Sequence, residues 1–335
     1  MTHESGHPYI LAIGDTFTDA FIELDKDTAK VDVDEAGKKW LSVEFGAKFP
    51  YNTVDIVQAV GPSPNAAVAF SRLGAESGLM TYIGDDETGE HTLQYLKEQG
   101  VKTDTVSVQP GAKSNYWYVL RYGADRTMLT KNEGYEYTWQ EPEQVPDWIY
   151  LAQSGEAWEL HEEVLNYLEK HPETKLVFQP GTIHFKWGRE KLAGIYARAE
   201  IVIMNREEAA QVLDLSIDSV ADLANGFHAL GAKVVVITDG PDGAYASDGA
   251  RLFQMPNYPD PSAPVDRTGA GDAFASTFVT ALALGEDIET ALRWAPINSM
   301  NVVQHIGAQT GLLTREELVQ HLANAPAEYE LKQLA

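Results

Sequence analysis

The chain of 335 residues contains no cysteine. Disulfides and thiolate-held metals or clusters are thereby excluded. No apolar run is long enough to span a bilayer, so a membrane partner is not expected. Positive charge is scarce: 25 Lys and Arg stand against 50 Asp and Glu, a net charge of -25. A phosphate backbone needs basic patches, so a nucleic-acid partner is not expected either. The acidity reads as that of a very soluble or salt-adapted protein. It leaves an anionic substrate dependent on local help from a Gly-rich loop or Mg²⁺. The polar start, residues 1–8, has no signal-peptide apolar region, and cytoplasmic location is the expectation. Of the histidines, only His3 and His7 have metal-ligand spacing, and they lack a third ligand, so a zinc site is not expected. There is no Gly-x-x-x-x-Gly-Lys-Ser/Thr stretch. Gly269-Ala270-Gly271 lacks the third glycine of a dinucleotide fingerprint and lies far from the first strand.

What is present is an alternation of short apolar runs with helical patterns. Strands are expected over 9–13, 77–83, 148–152, 176–179, 201–204 and 233–238. Helices are expected over 66–74, 91–99, 161–171, 191–198, 220–230, 273–284, 288–294, 297–305 and 315–322. Such an alternation implies an α/β fold whose mainly parallel sheet is covered on both faces. Ligands of such sheets sit at the carboxyl ends of the strands. Asp15 and Asp19 follow the first strand, and Asn205 ends the fifth.

Two segments break the rhythm. Residues 23–59 and 105–137 are turn-rich and alternate, with a hairpin around Gly123-Ala124-Asp125 and the aromatic run Tyr116-Trp117-Tyr118. They read as one small β-sheet beside the core. The expected division is a core of residues 1–22, 60–104 and 138–335 and a β lid of 23–59 and 105–137. Such a sheet could cover a ligand or form a homodimer face.

The chain is organised around Val265 to Phe274, where a small-residue loop runs straight into a helix. Free backbone N–H groups and the positive end of the helix dipole meet there and suit an anion. Asp272 would be repelled by a bound phosphate unless it takes a proton, which suggests phosphoryl transfer. An N-capping aspartate after a tight Gly turn explains the same residues. Asn205 and Glu208 divide similarly, between outer ligands of hydrated Mg²⁺ and a helix start with acidic residues favoured by the dipole.

Taken together, the motifs resemble those of the ribokinase-like, or PfkB-type, carbohydrate and nucleoside kinases over nearly the full length. Asp266 to Phe274 matches the signature Asp-Thr-x-Gly-Ala-Gly-Asp-x-Phe at all but its second position. Val60-Gly61-Pro62-Ser63-Pro64-Asn65 with Gly84-Asp85-Asp86 matches the first signature in part. Asn205-Arg206-Glu207-Glu208, Thr238-Asp239-Gly240 and Gly307-Ala308 match three further elements.

The resemblance implies a ribokinase-like three-layer α/β/α fold with a small β-sheet lid, and ATP-dependent transfer of the γ-phosphate to a sugar hydroxyl. It implies Asp272 as base and Gly269, Ala270 and Gly271 as the anion hole. Asp19, Gly61 and Asn65 would hold the substrate. Thr238, Gly240 and Gly243 would approach the nucleotide, with Asn298 near the adenine. Asn205 and Glu208 would organise Mg²⁺ through water, and Asp266 and the Thr268 carbonyl would serve a monovalent cation such as K⁺.

Two alternatives stand beside the sugar kinase. One is a nucleoside kinase whose Tyr116, Trp117 and Tyr118 stack a base. The other is a catalytically silent sugar- or nucleotide-binding protein, against which the intact Asp272 weighs. Departures cluster on the substrate side: Val60 for a glycine, Pro62 where ribokinases often have Lys, and Gln179 to Thr182 where many sugar kinases have Asp-x-Asn. Arg267 replaces the signature's Thr, and Gly311 lacks a hydroxyl that some relatives use at the cation site.

Overall fold

A computed structural model describes residues 6–123 and 125–334. His3, and Ala124 of the hairpin turn, lie outside them. The core is a three-layer α/β/α sandwich. Among the described residues its sheet has eleven strands. From Val101–Lys102 the order runs through Glu76–Gly84, Tyr9–Ile13, Trp148–Leu151, Lys175–Phe178, Ala199–Asn205 and Val234–Thr238. It ends on Ala244–Ser247, Leu252–Met255 and Lys332–Gln333, with Val106–Gln109 also on Glu76–Gly84. Pairings are parallel as far as Val234–Thr238 and antiparallel beyond it.

Tyr9–Ile13 shows why two helical layers are needed. All five residues are buried, and successive side chains point to opposite faces. Ile10 and Ala12 join a core with helices Pro62–Arg72, Ala270–Ala283 and Ile288–Val302. Tyr9, Leu11 and Ile13 join another with Trp158–Lys170, Ala193–Arg198 and Val220–Leu230. Apolar residues on both faces of a strand leave it no wet side, and each face must be covered.

A separate four-stranded sheet runs Asp125–Leu129, Tyr116–Tyr122, Phe17–Leu24, Tyr51–Val60. Two expected boundaries shift. Residues 17–22, assigned to the core, form the middle of this sheet, because Phe17–Leu24 pairs on both edges within it. Val106–Gln109, assigned to the lid, extends the core sheet instead. Register then sorts the side chains. Asp19 lies opposite both Val57 and Trp117. Val57 reaches the core, where a Cβ on Gly307 would lie 3.2 Å from its side chain. The face bearing Asp19, Trp117 and Arg126 is therefore the inward one, and Tyr116, Tyr118, Ile56 and Leu129 lie on the other.

Two helical expectations also change. Residues 288–294 and 297–305 form one helix, Ile288–Val302, with Pro296 inside it. An internal proline costs roughly 3 kcal/mol. Burial of Leu292, Trp294, Ile297 and Val302 on either side keeps the helix continuous. The expected helix over 191–198 is Ala193–Arg198, and a helix not expected, Thr182–Lys191, precedes it with a non-helical Gly188 at φ 77°.

Candidate active site

The carboxyl ends of the parallel strands converge on the start of helix Ala270–Ala283. Its N-cap is Gly269, at φ 80°. A Cβ there would sit 2.2 Å from the Ala308 side chain. Only glycine permits both that dihedral and that approach. Asp272 lies in the first helical turn. The Asn65 side-chain amide donates to its Oδ2 at 2.8 Å, and that of Gln179 to its Oδ1 at 3.1 Å. Behind them, Gln309 Nε2 donates to Asn65 Oδ1 at 2.9 Å and to the Ala59 carbonyl at 2.6 Å. Tyr95 donates to Gln309 Oε1 at 2.8 Å, and Tyr150 to Gln179 Oε1.

These contacts hold the carboxyl group rigidly while leaving acceptor capacity, since a carboxylate has about four lone-pair sites. Asp272 is half-buried as a residue, yet desolvation dominates at its carboxyl and raises its pKa. The Asn65 and Gln179 hydrogen bonds oppose that shift. A base sharpened by burial and kept ionisable by amide donors suits proton abstraction.

Beside it lies a cavity of about 540 Å³. Thr238, Gly240, Gly243, Ala270 and Gly271 line it, with Arg267, Tyr258 and Met300. Three of the four expected nucleotide residues and two of the three expected anion-hole residues thus share one space, whose size is that of a small-molecule site. A Cβ on Gly271 or Gly240 would meet nothing within 4 Å, so the helix start is open to that space.

Asn298 does not line the cavity. It is fully buried, donates to Thr277 at 2.8 Å and accepts from the Leu313 N–H at 2.9 Å. Its amide is consumed inside the fold, while Pro296, Ser299, Met300 and Val303 of the same stretch reach the cavity.

On the substrate side, Asp19 is 4% exposed, and its Oδ1 has no hydrogen-bond partner among the described residues. Burial raises its pKa to about 7, against the lowering effect of Arg126 and with a small push from Asp266. An unpartnered buried carboxyl oxygen is costly, and a ligand hydroxyl would relieve it. Gly61 caps helix Pro62–Arg72 at φ 128°, where a Cβ would lie 2.8 Å from the Asp15 carbonyl. Asp15 itself is consumed: it accepts from Tyr137 and the Gly155 N–H, both at 2.7 Å.

Asn205 and Glu208 form a reciprocal capping box, at 2.8 and 3.0 Å. That satisfies the helix start. Burial raises the Glu208 pKa. No group of three or more His, Asp or Glu able to hold a metal directly occurs among the described residues.

The sequence reading did not single out Gln309, Tyr95, Tyr150 or Arg126, and treated Gln179 only as a departure. Glutamine at a strand end carries no local signal. Only the spatial meeting with Asp272 reveals Gln179.

A desolvated carboxyl in the first turn of a helix, clasped by two side-chain amides beside a cavity of small-molecule size, is an arrangement compatible with a phosphotransferase acting on an alcohol group. A family model described as pfkB family carbohydrate kinase matches residues 55–315. The chain is 30% identical to ribokinase of Bacillus subtilis over 270 residues, 78% of this chain and 87% of that protein. It is 28% identical to 5-dehydro-2-deoxygluconokinase of the same organism over 289 residues, covering 80% and 88%. Among solved structures, the ribokinase of Arabidopsis thaliana complexed with ribose and ATP superposes with a TM-score of 0.75 at 18% identity, covering 94% of this chain and 99% of the other. The Methanocaldococcus jannaschii nucleoside kinase gives a TM-score of 0.76 at 18% identity, covering 94% and 98%. The chain belongs to the PfkB family of carbohydrate kinases, and it is a sugar kinase.

Proposed function

We propose that this sugar kinase transfers the γ-phosphate of ATP to a hydroxyl of a small polyol, with Asp272 as the base. The observation that carries the reading is the clasp of Asn65 and Gln179 on Asp272, beside the cavity lined by Ala270 and Gly271. The substrate hydroxyl oxygen attacks the γ-phosphorus as Asp272 takes its proton, the bond to the bridging oxygen breaks, and ADP leaves. Backbone N–H groups of Gly269, Ala270 and Gly271 meet the charge on the transferring oxygens. Thr238, Gly240 and Gly243 line the nucleotide's space. Asn205 and Glu208 would hold the waters of Mg²⁺, which neutralises phosphate charge when bound.

Asp19, Gly61 and Asn65 would receive the sugar, and the small sheet would serve as its lid. A sugar is favoured over a nucleoside by the carbohydrate-kinase family match and the ribokinase relative. Of the three aromatics considered for base stacking, Trp117 alone shares the face of Asp19. The apolar outer face, with Ile56 58% and Leu129 54% exposed, suits a second copy of the chain.

The test is a panel of pentoses, hexoses, sugar acids and nucleosides with ATP and Mg²⁺, reading ADP release. At least one sugar should give ADP well above the substrate-free rate. A panel in which only nucleosides respond, or nothing does, would overturn the reading.

A further inference from the structure

The family resemblance implies a monovalent cation at Asp266, and the residues present do not fit one. Asp266 is 9% exposed, and every polar contact recorded for its carboxylate comes from a donor. Oδ1 accepts from the Thr268 N–H at 3.0 Å and the Thr268 hydroxyl at 2.7 Å, and Oδ2 accepts from the Gly307 N–H at 3.1 Å. The Arg126 guanidinium stands 3.5 Å from Oδ1. The carboxylate's counter-charge is already supplied by the protein. We propose that Arg126 is a positioning residue that replaces the monovalent cation and ties closure of the lid to assembly of the anion hole. The proposal rests on the phosphotransfer reading of that loop.

The wiring is short. Asp266 grips Thr268, which precedes Gly269, and Gly307, which precedes Ala308. Gly269 and Ala308 are packed so closely that a Cβ on Gly269 would overlap Ala308. Asp266 thus joins the two segments that shape the anion hole. With its counter-charge withdrawn, its buried negative charge would strain both grips.

Arg126 comes from Asp125–Leu129, an edge strand of the small sheet that, among the described residues, pairs with Tyr116–Tyr122 alone. It lies on the inward face with Asp19, and the Arg126 charge acts on Asp19 as well. A gap of about 390 Å³, lined by Arg126, Asp266 and Arg267, separates sheet from loop. The Arg126 side chain is 38% exposed, so the contact is solvent-screened and weak. A weak contact across a gap can form when the lid closes over a sugar and break when it opens. A free cation would report nothing about the lid.

The test compares wild type, Arg126→Met and Arg126→Lys in KCl, LiCl and choline chloride at equal ionic strength, on a sugar that wild type phosphorylates. Wild-type kcat should be the same in choline and KCl within about twofold. Arg126→Met should lose about tenfold or more in choline, a coupling of ordinary allosteric size. KCl, but not LiCl, should restore most of that loss, and Arg126→Lys should keep most of the activity in choline.

Melting temperature supplies a readout independent of turnover. KCl should raise it over choline for Arg126→Met and not for wild type. Strong potassium activation of wild type, full activity of Arg126→Met in choline, or a loss that neither lysine nor potassium restores would each overturn the proposal. If wild type phosphorylates no sugar in any salt, the phosphotransfer reading fails instead. The melting comparison then still decides whether Arg126 stands in for an ion.

Discussion

Asn65 and Asp272 lie 207 positions apart in the chain, and the Asn65 amide donates to Asp272 Oδ2 at 2.8 Å. One residue belongs to the helix entered from the small sheet, the other to the helix that follows the anion loop. In the proposed reaction their bond would join the substrate side of the site to its base. Replacing Asp272 by Asn keeps the volume and removes the proton acceptor. We expect kcat to fall by roughly 10²–10⁴-fold with KM for the sugar little changed. Steady-state kinetics check this, and a kcat near wild type would remove Asp272 from the role of base.

Gln179 stands at the other oxygen of Asp272. Gln179→Glu places a second carboxyl there, and a like charge disfavours ionisation of Asp272. The acidic limb of the kcat profile should then move to higher pH, by about one unit or more. An unmoved limb would mean that the group titrating in that limb is not Asp272.

Asp19 gives a pH-dependent stability with a definite sign. Burial pushes its folded pKa up to about 7, from an ordinary value of 3.8. The folded state therefore holds a proton that the unfolded state releases. The resulting stabilisation is full below the unfolded pKa and is lost as pH rises through about 7. Asp19→Asn removes that loss, so the variant should gain on wild type by about 1 kcal/mol or more between pH 5 and pH 8. It should also bind the sugar more weakly. Urea melts at the two pH values check the first part, and a difference that stays constant with pH would refute the assignment.

Gly269→Ala should be disabling without touching any side-chain chemistry. The new Cβ meets Ala308 at 2.2 Å, and φ is 80°. Ala308→Gly removes the 2.2 Å contact with the Ala308 side chain but leaves the approach to its Cα at 2.6 Å and the dihedral. The double variant should recover part of the activity lost by the single one. Recovery of none would locate the whole cost in the backbone.

The outer face of the small sheet carries Val54, Ile56, Tyr118 and Leu129, all exposed. If a second copy covers it, Ile56→Glu should yield a monomer by sedimentation where wild type sediments as a dimer. A monomeric wild type would leave that face without this partner.

Much of this site was legible because its chemistry is local. Gly269, Ala270, Gly271 and Asp272 are contiguous, so the small-residue loop, the helix start and its carboxyl are all written in one stretch. Thr238, Gly240 and Gly243 are held by a turn whose glycines mark it. The strands read true because a residue run buried on both faces must be apolar throughout.

What resisted reading was everything that depends on register. Tyr116, Trp117 and Tyr118 are equivalent as a string, yet alternation sends Trp117 to the side of Asp19 and its neighbours away. Asn298 could not be told from a ligand-facing amide until its two partners, Thr277 and Leu313, were seen. The sequence by itself determined the layered sheet and the small-residue helix start that carries the candidate base, since periodicity and backbone freedom are written residue by residue. Only the tertiary structure decided that Gln179 and Asn65 clasp Asp272, and that Arg126 reaches Asp266. Those contacts join segments separated by 93 to 207 positions, and a meeting across such a distance leaves no mark in either segment alone.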